Sequence, residues 1–345
     1  MIWRQRQKAG NNSSLIQAGV ANFGLGYDDV LAVAENCVNG ALSSYSQAAF
    51  REAEARVQEI TLNFLAELSE RNPDALKNAQ DPGIQAAIIE AQSGYAKSGD
   101  QDLGEILVSL LVERIGSVDR NIQQLALNES ISAAQKLTGS HLRLLTATFL
   151  ICSVRHTKLP NYQTLHARMK QYYEPFIDGL KFTESDVSYL EAAGCLRISS
   201  VGSRIIPDSL RKTYPGLFTK GIDPDLNISI KPYLDSGLTI SCIRDSSLVQ
   251  INAVDEESLS ESTGSLPADE QEVLRNLLQA NLMSDDEITE EILSNTPSFD
   301  GFLASWNATS IQRATPTLVG TAIAHANLQR ILGAEFDASI DIWIS

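Results

Sequence analysis

From Tyr27 onward the apolar residues fall at three- and four-residue intervals, the spacing that lines one face of a helix. Val30, Leu31, Ala34, Cys37, Val38, Ala41 and Leu42 form the first such stripe. A longer one, Phe50, Ala53, Val57, Ile60, Phe64 and Leu68, comes close to a heptad and is flanked by Arg51, Glu52, Glu54, Arg56 and Glu59. A single seam with mixed charges beside it suits helix pairing, within the fold or between chains, and pairing within the fold is the preferred expectation. Pro73 ends this helix, and Asp81-Pro82 supplies an N-cap with proline at the first helical position. The next helix places Ile84, Ala87, Ile88, Ala91 and Tyr95 on one face and stops at Ser98-Gly99. Asp100 caps a helix whose core is Leu103, Ile106, Leu107, Leu110 and Leu111, and another runs from Asp119 to Lys136. Residues 27–137 are therefore expected to form a helical bundle joined by short turns.

The pattern changes after Thr138. His141 to His156 is a strongly apolar helix, and Tyr162–Leu180 is helical with a break near Pro175. Thr183, with Asp186 three residues on, caps a helix that ends at Gly194, and Cys195–Ser199 has strand character. Helix, glycine and short strand in that order suggest the second half of a winged-helix domain. Thr317-Leu318-Val319-Gly320, opening a terminal helix, is the segment expected after a wing. Between them, Leu238–Ile243 and Leu248–Val254 alternate as strands, while Pro207, Pro215, Pro224 and Pro232 predict loops. Residues 258–266 have linker composition, Pro267–Leu282 and Ser284–Leu293 predict two helices, and Ile340–Ile344 alternates as a strand that docks back. The expected fold class is mainly α: a helical bundle followed by a winged-helix-like α+β unit with a short antiparallel β element. That second unit covers residues 138–345, with a long insertion at about 200–310 carrying acidic helices.

Residues 1–26 stand apart. Asn11 to Gly19 is polar, uncharged and rich in turn formers, and an extended or β arm is expected rather than a helix. Within it Ile16-Gln17-Ala18-Gly19, followed by Asn22, resembles short amyloid-type signalling motifs built on aliphatic-Gln-aliphatic-Gly. Such segments can stack in register, although pairing within the protein is the preferred expectation.

Composition narrows the function classes. The 345 residues are 43% hydrophobic with a net charge of −16, which fits a globular chain. The charge is concentrated: thirteen acids against one base, Arg275, lie between Asp255 and Asp300. A chain of this balance repels phosphate backbones, so nucleic acid is a disfavoured partner. Arg4, Arg6 and Lys8 are followed by polar Asn11–Ser14 instead of an apolar run, so no secretory leader is expected. The longest apolar stretch, Leu142 to Val154, is too short to span a bilayer. Cys37, Cys152, Cys195 and Cys242 are widely spaced, as expected of reduced thiols in a cytoplasm.

Candidate chemistry is sparse. Cys152 and His156, four apart, could face one site as a thiol–imidazole pair, but core packing is the preferred expectation. His141, His166 and His325 lack metal-ligand spacing, and no cofactor or metal is expected. There is no G-x-G-x-x-G, Walker A, H-E-x-x-H or G-x-S-x-G. Asp223-Pro224-Asp225 lacks the rest of a calcium loop and suffices as a turn. The carboxylates at 285–287 and 290–291 are expected as caps and solvated-face charges. The would-be recognition helix, Glu184 to Ala193, carries Glu184, Asp186 and Glu191 and no base, which favours a protein partner over DNA.

Several segments together resemble a family of uncharacterised bacterial proteins: Asn12-Ser13…Ile16-Gln17-Ala18-Gly19, Leu25-Gly26-Tyr27-Asp28-Asp29-Val30, and Asp81…Ala91-Gln92-Ser93-Gly94-Tyr95-Ala96. Tyr189–Cys195, Leu318-Val319-Gly320…Ile323-Ala324…Asn327-Leu328 and the Ile340–Ile344 tail extend the resemblance over most of the chain. The arrangement is also distantly similar to phage abortive-infection proteins of the Abi-alpha type. Neither resemblance implies catalytic residues. The expectation is a non-enzymatic interaction or effector protein, in phage defence, that forms homo-oligomers through Ile16, Gln17, Gly19, Phe50, Val57, Ile60 and Phe64. An adaptor whose winged-helix-like unit binds another bacterial protein is the alternative, and a hydrolase with dispersed residues is a further one.

Overall fold

A computed structural model of the chain describes residues 26–41, 45–117 and 119–344. The expected arm, with Ile16, Gln17 and Gly19, lies outside the described residues, as does Leu42. The described residues contain fifteen α-helices and four short strands, so the fold is mainly α with a small antiparallel β component.

The first five helices are α1 (Tyr27–Ala41), α2 (Gln47–Arg71), α3 (Pro82–Ser98), α4 (Gln101–Gly116) and α5 (Ile122–Ala134). Their starts are set locally. Asp81 accepts from the Ile84 amide (3.0 Å), Asp100 from Leu103 (3.1 Å) and Asn121 from Gln124 (2.9 Å), each cap contributing about 1 kcal/mol. Gly99, at φ +63°, closes α3 in the left-handed conformation that glycine adopts without penalty. α4 is the central helix: Leu103, Ile106, Leu107, Val108, Leu110, Leu111, Val112 and Ile115 are all buried, and it packs against α2, α3 and α5.

Next come α6 (Gly139–Ser153), α7 (Tyr162–Tyr172), α8 (Glu174–Ile177), with Pro175 in its first turn, and α9 (Glu184–Ala192). The chain then turns through Gly194 at φ +78° into β1 (Leu196–Ile198). The partner of β1 is more than a hundred residues away: β4 (Ala314–Pro316) pairs with it antiparallel, Leu196 opposite Pro316 and Ile198 opposite Ala314. α15 (Leu318–Leu332) follows at once, its first turn held by Thr317, which caps Gly320 and bonds the Gly194 carbonyl. Helix α9, the split β1–β4 pair (the wing strands) and the start of α15 meet at one junction.

Between the two wing strands lie α10 (Ile206–Thr213), β2 (Thr239–Ser241), β3 (Val249–Ile251), α11 (Glu256–Thr263), α12 (Ala268–Leu278), α13 (Asp285–Asn295) and α14 (Phe299–Ala308). β2 and β3 form the expected hairpin, Thr239 opposite Ile251. The insertion has a small core of its own from Ile222, Ile230, Tyr233, Ile251, Leu259, Leu274, Leu277 and Leu278.

Several expectations change here. Residues 258–266 are not a linker: Asp255 caps α11 through the Ser258 amide (2.8 Å), and Leu259 and Thr263 turn inward. The proline-punctuated stretch contains α10, where Pro207 sits in the first turn and needs no amide partner. The 340–344 tail does dock back, but as a 3₁₀ turn (Ile340–Ile342) and not as a strand, because its anchors are side chains. Trp343 donates to the Ser153 carbonyl (3.0 Å) and packs edge-on against Phe149. The 137/138 boundary falls inside one continuous hydrophobic core running from Val30 to Ile344, since α15 packs on α4, α5 and α6 together.

Candidate functional site

Helix α6 ends at Ser153, so Cys152 and His156 do not share a helix. Arg204 donates to the Cys152 sulfur (2.8 Å) and to the Ala314 carbonyl (3.3 Å), which ties the start of the insertion to β4. Burial pushes the Cys152 thiol up to about 11, against the opposing pull of Arg204, so the sulfur is a protonated packing atom at neutral pH. His156 packs edge-on against Tyr172 and Tyr173 and lines an interior cavity of about 60 Å³, room for a water or two. Its Nε2 is buried and faces no protein partner. Burial first, and the Arg168 charge second, push its pKa down to about 4, so the ring is neutral. The remaining cavity wall is mostly apolar, with Leu165, Met169, Ile206 and Phe299. A protonated thiol bound to a guanidinium and a neutral imidazole among aromatic rings are packing elements, as expected for this pair.

A second set of ionisable groups comes from three distant parts of the chain. His166 on α7 contacts Glu291 on α13 (Nε2 to Oε1, 2.8 Å), and Arg244, after β2, grips both oxygens of that carboxylate (2.5 and 3.1 Å). Arg244 also donates to the Leu217 carbonyl (2.7 Å) and lies over the Tyr162 ring, 5.0 Å from its centroid. Burial alone would raise the Glu291 carboxyl, but the bonds from His166 and Arg244 outweigh it and hold it below the usual carboxylate range. Glu291 is therefore not a solvated-face charge. It is the bolt between the insertion and α7, and it was missed because its partners lie 47 and 125 residues away in sequence. The neighbouring acids do match the expectation: Glu287 completes the α13 capping box, and Asp285 pairs with Arg211 (2.9 Å).

The acids of α9 are used in the same structural way. Glu184 accepts from the Ser310 amide (2.8 Å), Asp186 completes the capping box with Thr183, and Glu191 accepts from the Ile198 amide (3.0 Å). Helix α9 thus fastens β1 and the turn before β4 with its carboxylates. Among the described residues, no three His, Cys, Asp or Glu side chains gather where a metal ion could sit.

The seam expected to join copies is occupied within the chain. Val57, Ile60 and Phe64 are 0%, 1% and 1% exposed, packed where α2 meets α1, α3 and α4, and Phe50 rests on the small cluster of Ala34, Cys37 and Val38. The helices of the bundle cover Val57, Ile60 and Phe64, while Phe50 is half-buried.

Among the described residues, the most exposed large aliphatic side chains, Leu226, Val201 and Ile228, lie on the insertion instead, and Leu226 and Ile228 share one loop. Leu226 is 84% and Ile228 75% exposed. Their loop is held by its own polar groups: the Asp223 carboxylate accepts from the Asp225 amide (2.8 Å), and its carbonyl accepts from Leu226 and Asn227 (3.2 and 2.9 Å). The Asn227 side chain accepts from Ser229 (3.1 Å). Asp223-Pro224-Asp225 is thus a turn, as expected, and it sets the course of the backbone that carries Leu226 and Ile228. At its base Ile222 bridges to Val249, and Asn281 donates to the Gly221 carbonyl (2.6 Å), leaving an open groove beside Leu226 and Ile228. The signal for this surface was faint in the sequence, two aliphatics in a proline-and-asparagine turn.

Among the described residues, no helix is long and apolar enough to cross a membrane. Among curated proteins and solved structures, none matches the chain. A family model does match, over residues 24–344, and its description names no activity.

Proposed function

The chain belongs to this uncharacterised family, and from that premise we propose that it is a non-enzymatic interaction protein that self-associates, with residues 1–25 as the joining segment. The observation that carries this is the Asp223–Ile228 loop, which holds two aliphatic side chains out in solvent on a hydrogen-bonded backbone. Isolated apolar residues on a surface are ordinary, but two on a preorganised turn beside a groove have the character of contact anchors. The ionisable groups support the same view, since the His166–Glu291–Arg244 and Cys152–Arg204 contacts hold elements together. The 1–25 segment contributes the uncharged, amide-bearing stretch around Ile16-Gln17-Ala18-Gly19, a composition suited to pairing between chains. With the α2 seam buried, this segment is the joining element that remains of those expected. Phage defence in a bacterial cytoplasm is the proposed setting, on the resemblance to abortive-infection proteins.

Light scattering on the full chain and on residues 26–345 tests the association. The full chain is expected to show a mass above the monomer that falls to the monomer on shortening, and equal monomer masses sink the proposal. The setting is tested separately by plating phages on cells with and without the gene, where a reduction with the gene is expected. Equal plating across a broad panel removes the defence assignment and leaves the association standing.

A further inference from the structure

Resting on the self-association proposed above, we infer that the Asp223–Ile228 loop and its groove are the receptor for the 1–25 segment of a second copy of this chain. The two surfaces are complementary in both apolar content and charge. The loop itself carries Asp223 and Asp225, and Asp269 and Glu270 are near enough to Tyr233, which shares the core of the insertion with Ile222, to help raise its hydroxyl pKa behind the effect of burial. Lys231 reaches Asp225 only at 4.0 Å, and that carboxylate is almost fully exposed. The 1–25 segment has Arg4, Arg6 and Lys8, no acid at all, and the aliphatics Leu15, Ile16 and Val20. A basic, apolar strip of chain matches an acidic surface with two projecting aliphatics, and charge pairing at the rim steers the encounter while apolar contact holds it.

The loop is suited to receive a peptide. Its backbone is already bonded to Asp223 and Asn227, so binding does not have to order it, and the cost falls on the incoming segment alone. Length is sufficient: 25 residues reach on the order of 80 Å when extended, more than the width of a domain of this size. The acidic helices α11 and α12 then acquire a role beyond solvation, as the field that attracts the basic residues.

Sedimentation velocity on three full-length proteins tests the inference: the natural sequence, Ile16→Asp, and Leu226→Ser with Ile228→Ser. Both serines replace side chains that are at least three-quarters exposed, so the thermal midpoint of that variant is expected to stay within a degree or two. Assembly is expected to weaken about tenfold or more in each variant, and to weaken in the natural protein as salt rises from about 0.05 to 0.5 M. A natural protein that is monomeric at every concentration defeats the self-association proposal and this inference with it. Assembly lost with Ile16→Asp but kept with the two serines overturns the receptor assignment alone. Assembly lost with the serines but kept with Ile16→Asp overturns it too, because the groove then receives something other than this segment.

Discussion

At the scale of single residues, the buried ionisable groups make stability depend on pH in separable windows. His156 has a folded pKa of about 4 because burial disfavours its cation, whereas in the unfolded chain an imidazole titrates near 6.5. A base with a depressed pKa contributes fully above about pH 6.5 and loses stability as the pH falls toward 4, since only the unfolded chain takes up the proton there. The loss is on the order of 2–3 kcal/mol across that window, and His156→Phe is expected to flatten this part of the profile of unfolding midpoint against pH. A profile of the same slope in the variant assigns the loss to another group. Glu291 acts lower. Its folded pKa is depressed by His166 and Arg244, so its contribution is whole above about pH 4.3 and disappears as the pH falls through the folded value. Glu291→Gln leaves Arg244 without its carboxylate in a largely buried position and is expected to cost about 2–4 kcal/mol at pH 7. In urea titrations the gap between variant and natural protein should narrow below about pH 4, and a gap constant with pH would mean that packing rather than charge is lost.

At the scale of elements, local chemistry was readable and tertiary consequences were not. The caps at Asp81, Asp100, Thr183 and Ser284 each act over three residues, and all four helices start where those residues predict. α11 was hidden because serine and glycine composition resembles a linker, while its support comes from Leu259 in a core assembled from residues 222–278. The Glu291 bridge was hidden for the same reason, as no spacing rule links residues 166, 244 and 291. Gly320 shows how an element can be fixed by the lack of a side chain. A Cβ there would lie 2.0 Å from the Cys195 carbonyl oxygen, inside the junction of β1 with α15. Gly320→Ala must push α15 off β1, and because α15 also packs on α4, α5 and α6 the shift cannot stay local. A loss of about 3 kcal/mol or more is expected in chemical denaturation. A variant as stable as the natural protein would mean that α15 has freedom to move that its buried face does not suggest.

At the scale of the whole molecule, the wing strands decide how the parts are coupled. The bundle, α6 and α15 share one core, so the segment before residue 138 and the last helix stand or fall together. Of the insertion between β1 and β4, α10, α13 and α14 also belong to that core, whereas residues 222–280 have a small core of their own with eight buried members. That segment is tied to the body by Ile243 and Val254 packing on the main core and by polar links, among them Arg244 on Glu291 and on the Leu217 carbonyl, Arg155 on Asp255 (2.5 Å) and the Gly216 amide on the Val254 carbonyl (3.0 Å). A small core opens at a lower free energy than a large one, and such openings surface as separate units in native-state hydrogen exchange. Amides of residues 222–280 are therefore expected to exchange through a sub-global opening of low urea dependence, while those of α4, α6 and α15 exchange only with global unfolding. Glu291→Gln, by removing the bolt, should speed exchange in the first group well before it affects the second. The same urea dependence in both groups, with or without Glu291, would show that the insertion and the body unfold as one unit, and the receptor loop would then be as rigidly placed as the bundle itself.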